Sequence, residues 1–136
     1  MVNKHDIKTS FNDITVKHFP ELLSKNINLI FPESKKDYYM QVSRIFFIHM
    51  LNVDRSVAKM PKEAMIGCLV HELCHILNWD NNERETDTLV IQRGFGKYLL
   101  EFVKYHNSKF EKYTKKEGLS KKEIKQLLLI HPQIPV

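Results

Sequence analysis

Two histidines and a glutamate in the middle of an apolar helix constrain this chain more than any other feature. From Glu63 to Trp79 the residues follow helical spacing and are apolar nearly all round, the pattern of a helix buried on most sides. Within that stretch stands His71-Glu72-Leu73-Cys74-His75. Burying two imidazoles and a carboxyl is costly unless they share a partner. Positions i and i+4 lie one turn apart on a helix face, so both imidazoles reach the same point in space. Random placement of these residue types gives about 0.03 such matches in a chain of this length.

A metal ion is the partner that two imidazoles on one face can share, and zinc suits imidazole without redox chemistry. Glu72, next in the chain, reaches a water at such a centre without binding the metal itself. A catalytic zinc takes three protein ligands and keeps one position open, so a third ligand is expected from another element. Glu83-Arg84-Glu85-Thr86-Asp87 follows, with Glu83 and Asp87 again at i and i+4.

HExxH followed by ExxxD resembles the gluzincin metallopeptidases. MPKEAMIGCLVHELCHI and then ERETDTLVIQRGFG look most like the small soluble minigluzincins, relatives of the core of the membrane-bound CAAX prenyl proteases. The resemblance covers residues 44–96. It implies one Zn2+ held by His71, His75 and Glu83, with Asp87 hydrogen-bonded to His71. Glu85, two residues on, is the rival third ligand. It also implies an α+β, zincin-like fold: a short antiparallel sheet over the HExxH helix, a glutamate helix and flanking helices. The activity implied is peptide hydrolysis with Glu72 as general base. No motif for a residue that stabilises the oxyanion is recognisable, and Tyr98, Tyr105, His106 and Arg93 are the candidates. The alternative reading is a catalytically weak zinc module that binds peptides or nucleic acid.

The other elements follow from local signals. Ser10 is an N-cap candidate for a helix over 9–24 that breaks near Pro20. Residues 26–31 read as a short strand. Arg44–Leu51 reads as the best strand in the chain, and the resemblance implies that it is the edge that pairs with a substrate backbone. Pro61 suits a first helical position. Asn81 or Asn82 can cap the glutamate helix, and Gly94 and Gly96 interrupt or end it. Lys97–Tyr113 has helical spacing, and Ser120 with Glu123 forms a capping box for a last helix to about Ile130. Phe31, Phe46 and Phe47 read as core. So do Cys68 and Cys74, which point apart on their helix and are not expected to bridge. His49 reads as a half-buried strand histidine, and Trp79 as packing.

Composition sets the surroundings. The 136 residues suit a single domain over 1–136, ending in an extended tail over 131–136. No apolar run approaches the roughly 18 residues of a membrane span, and the N-terminal residues lack an apolar stretch. A cytoplasmic protein with no membrane partner is the expectation. The net charge of +5 lies wholly in residues 97–136, which hold nine lysines against four glutamates. Without arginines or a stacking motif, that run reads as solvated helix faces, which argues against a nucleic-acid partner. The partner expected instead is a peptide or protein substrate. The tail, held extended by Pro132 and Pro135, has the shape a peptidase cleft accepts. It is expected to inhibit the site, within the chain or through self-association, with His131 at the open metal position.

Overall fold

The structure is a computed structural model that describes residues 2–109 and 118–134. Among the described residues the fold is α+β, with five α-helices and a three-stranded sheet. Helix α1 (Lys4–His18) starts at Asn3, whose side chain accepts from the Asp6 N–H while Asp6 accepts from the Asn3 N–H. This reciprocal cap satisfies two N–H groups that a helix start leaves open. It begins the helix earlier than the Ser10 cap would, and Ser10 is buried inside the helix. The helix stops before Pro20, and a 3₁₀ turn leads into strand β1 (Asn26–Ile30).

Strands β2 (Met40–Ile45) and β3 (Ile48–Val53) divide the stretch expected to be one strand. The chain reverses at Phe46, whose φ of 54° is left-handed. Hairpin turns of this kind usually carry glycine or asparagine, so aromatic and β-branched residues running through the turn hide it. Phe46 and Phe47 are 90% and 74% exposed, which corrects their reading as core. The sheet order is β1-β3-β2, with β1 parallel and β2 antiparallel to β3. The sheet is therefore mixed rather than antiparallel throughout. Residues 31–39 carry the chain across before the hairpin forms, so β3 runs alongside β1 in the same direction. The edge next to the helices is β2, and half of the expected edge strand, residues 48–51, belongs to the central β3.

Helix α2 (Lys62–Leu77) carries the histidines, with Pro61 as its N-cap residue. Helix α3 (Glu83–Gln92) follows a short link and is capped reciprocally by Asn82 and Glu85. Helix α4 (Gly96–Lys109) begins after a corner at Gly94, where φ is 94°. The expected extension of α4 to Tyr113 lies outside the described residues, as do Lys112, Lys115 and Lys116. Helix α5 (Lys121–Leu128) has the Ser120–Glu123 capping box.

Helix α2 packs against β2, α3 and α4. A Cβ on Gly67 would lie 2.2 Å from the Tyr98 carbonyl oxygen, so only glycine lets α2 and α4 approach this closely. Met65, Leu69 and Leu73 of α2 are fully buried together with Leu51, Ile91 and Leu99. Cys68 and Cys74 are buried free thiols, as expected. The tail docks on the α3–α4 corner: Gln133 Oε1 accepts from the Gly96 N–H at 2.7 Å, and the Ile134 N–H donates to the Gly94 carbonyl at 3.0 Å. Pro135 lies outside the described residues. Among the described residues, no helix is long and apolar enough to cross a membrane.

Candidate metal centre

One turn of α2 and the first turn of α3 bring His71, His75 and Glu83 together. One ligand atom from each lies within 4.8 Å of the others. His71 Nε2 is 3.0 Å from Glu83 Oε2, and His75 Nε2 is 2.8 Å from Glu83 Oε1. Tetrahedral zinc, with bonds of about 2.0–2.1 Å, spaces its ligand atoms roughly 3.3 Å apart. The Glu83 oxygens are within a few tenths of an ångström of that spacing, so this His-His-Glu group can hold a metal ion.

The far ring nitrogens show why the near ones are presented. Asp87 is wholly buried, and its Oδ1 lies 2.7 Å from His71 Nδ1. Its Oδ2 accepts from the Leu119 N–H at 2.9 Å, so both carboxylate oxygens are occupied. The Thr86 hydroxyl donates to the Asn82 carbonyl at 2.8 Å, which leaves its oxygen to accept from His75 Nδ1–H at 3.3 Å. Each histidine is thus held by Nδ1, and each Nε2 lone pair faces Glu83. Two lone pairs aimed at a carboxylate require positive charge between them, from protons or from a metal. Burial pulls the His71 pKa down, but hydrogen bonds to Asp87 and Glu83 outweigh it and hold it raised, at about 10. Hydrogen bonds from His71 and His75 hold the Glu83 carboxyl far below the usual range.

Glu72 is buried beside the triad, and desolvation raises its pKa. Its Oε2 accepts from the Val42 N–H at 3.3 Å. That N–H points away from β3, so the outer edge of β2 faces the triad. Two hollows flank this point. The larger, about 790 Å³, reaches His71, Glu72 and Glu83 from the side of Tyr105 and His106. The smaller is bordered by Val42, His75 and Trp79.

The other sequence candidates separate clearly. Glu85 accepts from the Asn82 N–H at 3.0 Å as part of the α3 cap, while Glu83 is the acid beside the histidines. Tyr105 and His106 reach the larger hollow. Arg93 instead pairs with Glu21 and donates to the His18 carbonyl. The helix does not continue through both glycines, and Tyr98, its ring 5.8 Å from that of Phe95, borders neither hollow. His49 is buried, its ring 5.9 Å from that of Trp79, apart from the triad. Arg44 covers the Trp79 ring at 4.7 Å. His131 borders neither hollow.

Two residues escaped the sequence reading. Thr86 lies inside the ExxxD stretch, three residues after Glu83, and its spacing could have flagged it. Tyr38 borders both hollows, together with Glu72 and Glu83, and carries no local motif. Thr86→Val keeps the volume and removes the acceptor for His75 Nδ1–H. It should weaken zinc affinity by about tenfold, the lower end for the support of a ligand imidazole. Competition with a chromogenic chelator measures this, and unchanged affinity would mean that Thr86 does not orient His75.

A scan against protein-family models gives no match to this chain, and comparisons with curated proteins and with solved structures give none either.

Proposed function

We propose that this protein is a zinc-dependent peptidase whose ion is held by His71, His75 and Glu83. The observation that supports this most directly is the pair of imidazoles, each anchored through Nδ1, that turn Nε2 toward one carboxylate beside a buried second glutamate. Zinc bound there supplies Lewis acidity toward a carbonyl oxygen and lowers the pKa of a water to about 7.

The chain's own residues provide the rest. The outer edge of β2, on which no strand pairs among the described residues, aligns an extended peptide backbone across the triad. The Glu72 carboxylate takes the proton from water as its oxygen attacks the carbonyl carbon. It then returns that proton to the leaving nitrogen as the C–N bond breaks. Tyr38 is the candidate donor to the carbonyl oxygen, a position where one added hydrogen bond is worth about 10²–10³ in rate. Burial and the nearby Asp54 and Asp37 carboxylates raise its phenol pKa, so it keeps its proton at neutral pH.

The test is hydrolysis of a quenched fluorogenic peptide library by zinc-loaded protein. Cleavage should occur, stop with chelator and return with added zinc. Chelator-resistant cleavage, or none by fully loaded protein, contradicts the reading. Inhibition by the tail remains part of it, with one structural condition: the tail must leave the α3–α4 corner, where Gln133 and Ile134 are bonded, to reach the cleft.

A further inference from the structure

The larger hollow has a chemical asymmetry that the metal centre does not require. Its outer rim carries Lys35, Lys36, Arg55 and Lys59. All four are exposed, and among the described residues none lies within ion-pair distance of an acid. Asp37 is the one acid on that rim, so its net charge is +3. The same hollow is also lined by aromatic rings, with those of Tyr39 and Phe102 5.6 Å apart and Tyr105 beside them.

A single buried carboxylate builds this rim. Asp54 Oδ1 accepts from the Lys36 N–H at 2.8 Å, and Oδ2 accepts from the Ser56 N–H at 3.0 Å. The loop bearing Lys35 and Lys36 is thereby clamped to the 3₁₀ turn Arg55–Lys59. The Asp54 carboxylate lies behind the rim and offsets part of its charge, which leaves four cations against Asp37 and Asp54. Four like charges held together repel one another, and an anion between them relieves that repulsion. A hollow lined by aromatic rings and a cationic rim fits a side chain with an apolar stem and a carboxylate end.

We propose that this hollow is a substrate subsite that selects peptides bearing an acidic side chain, glutamate above all, next to the bond presented to the metal centre. The inference rests on the peptidase reading for its reaction but not for its binding. The metal centre at the floor and the peptide-pairing edge of β2 favour a peptide over a nucleic acid as the occupant.

The test uses the full chain with zinc and matched peptides carrying Glu, Gln or Lys at each position around the cleaved bond. Glu peptides should be cleaved about tenfold faster in kcat/KM than Lys peptides, because two or more exposed charge pairs add to roughly that factor. The preference should shrink between low and high salt. In Arg55→Glu/Lys59→Glu it should vanish or reverse, while zinc content and melting temperature stay unchanged.

A second arm reads binding without turnover. Fluorescence anisotropy with zinc-loaded Glu72→Gln should show tighter binding of the Glu peptide, again lost on charge reversal. Cleavage without charge preference would overturn the subsite and leave the peptidase reading intact. Preferential binding of the acidic peptide with no cleavage by the wild-type chain would keep the subsite and remove the peptidase reading. A single-stranded oligonucleotide that outcompetes the acidic peptide would assign the rim to nucleic acid and overturn the proposal.

Discussion

Glu72→Gln should retain one zinc per chain and lose peptide hydrolysis by at least about 10²-fold in kcat, the lower end for removal of a general base. The amide has the shape of the carboxylate and can still accept from the Val42 N–H through its oxygen, so the cleft is preserved. What disappears is the capacity to take and return a proton. Glu72 is buried, so no bulk-solvent base reaches the same position without passing through the cleft. The measurement is the turnover of wild-type and variant protein at equal zinc content. Undiminished cleavage in the variant would assign the hydrolysis to another group.

Asp87→Asn should reduce zinc affinity by about 10–100-fold, the usual cost of losing the partner that orients a ligand histidine. The reason is donor arithmetic. The native carboxylate faces two N–H groups, His71 Nδ1–H and Leu119 N–H, one at each oxygen. Asparagine offers one oxygen and one NH2, so in either flip a donor confronts a donor. The site is wholly buried, so water cannot replace the lost acceptor. Stability should also fall, by about 1–3 kcal/mol, because one buried N–H is left unsatisfied. Chelator competition and urea unfolding read the two effects separately. Wild-type values in both would mean that Asp87 neither orients His71 nor ties the start of α5 to the site.

What could be read in the chain, and what could not, follows from the range of each signal. Helix α2, the Asn82 and Ser120 caps and the break at Gly94–Gly96 come from local chemistry: apolar period, capping oxygens and a left-handed glycine. The pairing of His71 with His75 was legible from i,i+4 spacing on one helix, whereas Glu83 over Glu85 was implied only by the resemblance to the gluzincins. The hairpin was not. Phe46 takes a left-handed turn with no turn residue to mark it, and the run of aromatic and β-branched residues continues through the reversal. The parallel pairing of β1 with β3 also depends on where residues 31–39 cross, which no local pattern encodes. Tyr38, Lys35 and Lys36 lie in the same crossing. The Asp54 clamp, a contact made between residues 18 apart, ties that crossing to the turn bearing Arg55 and Lys59.

The most direct test of the account is zinc stoichiometry by elemental analysis after exhaustive dialysis of metal-loaded protein. The wild-type chain should retain one zinc, and His71→Ala/His75→Ala should retain close to none while circular dichroism shows its helices intact. Stoichiometric zinc in that folded double variant would contradict the assignment of the metal centre.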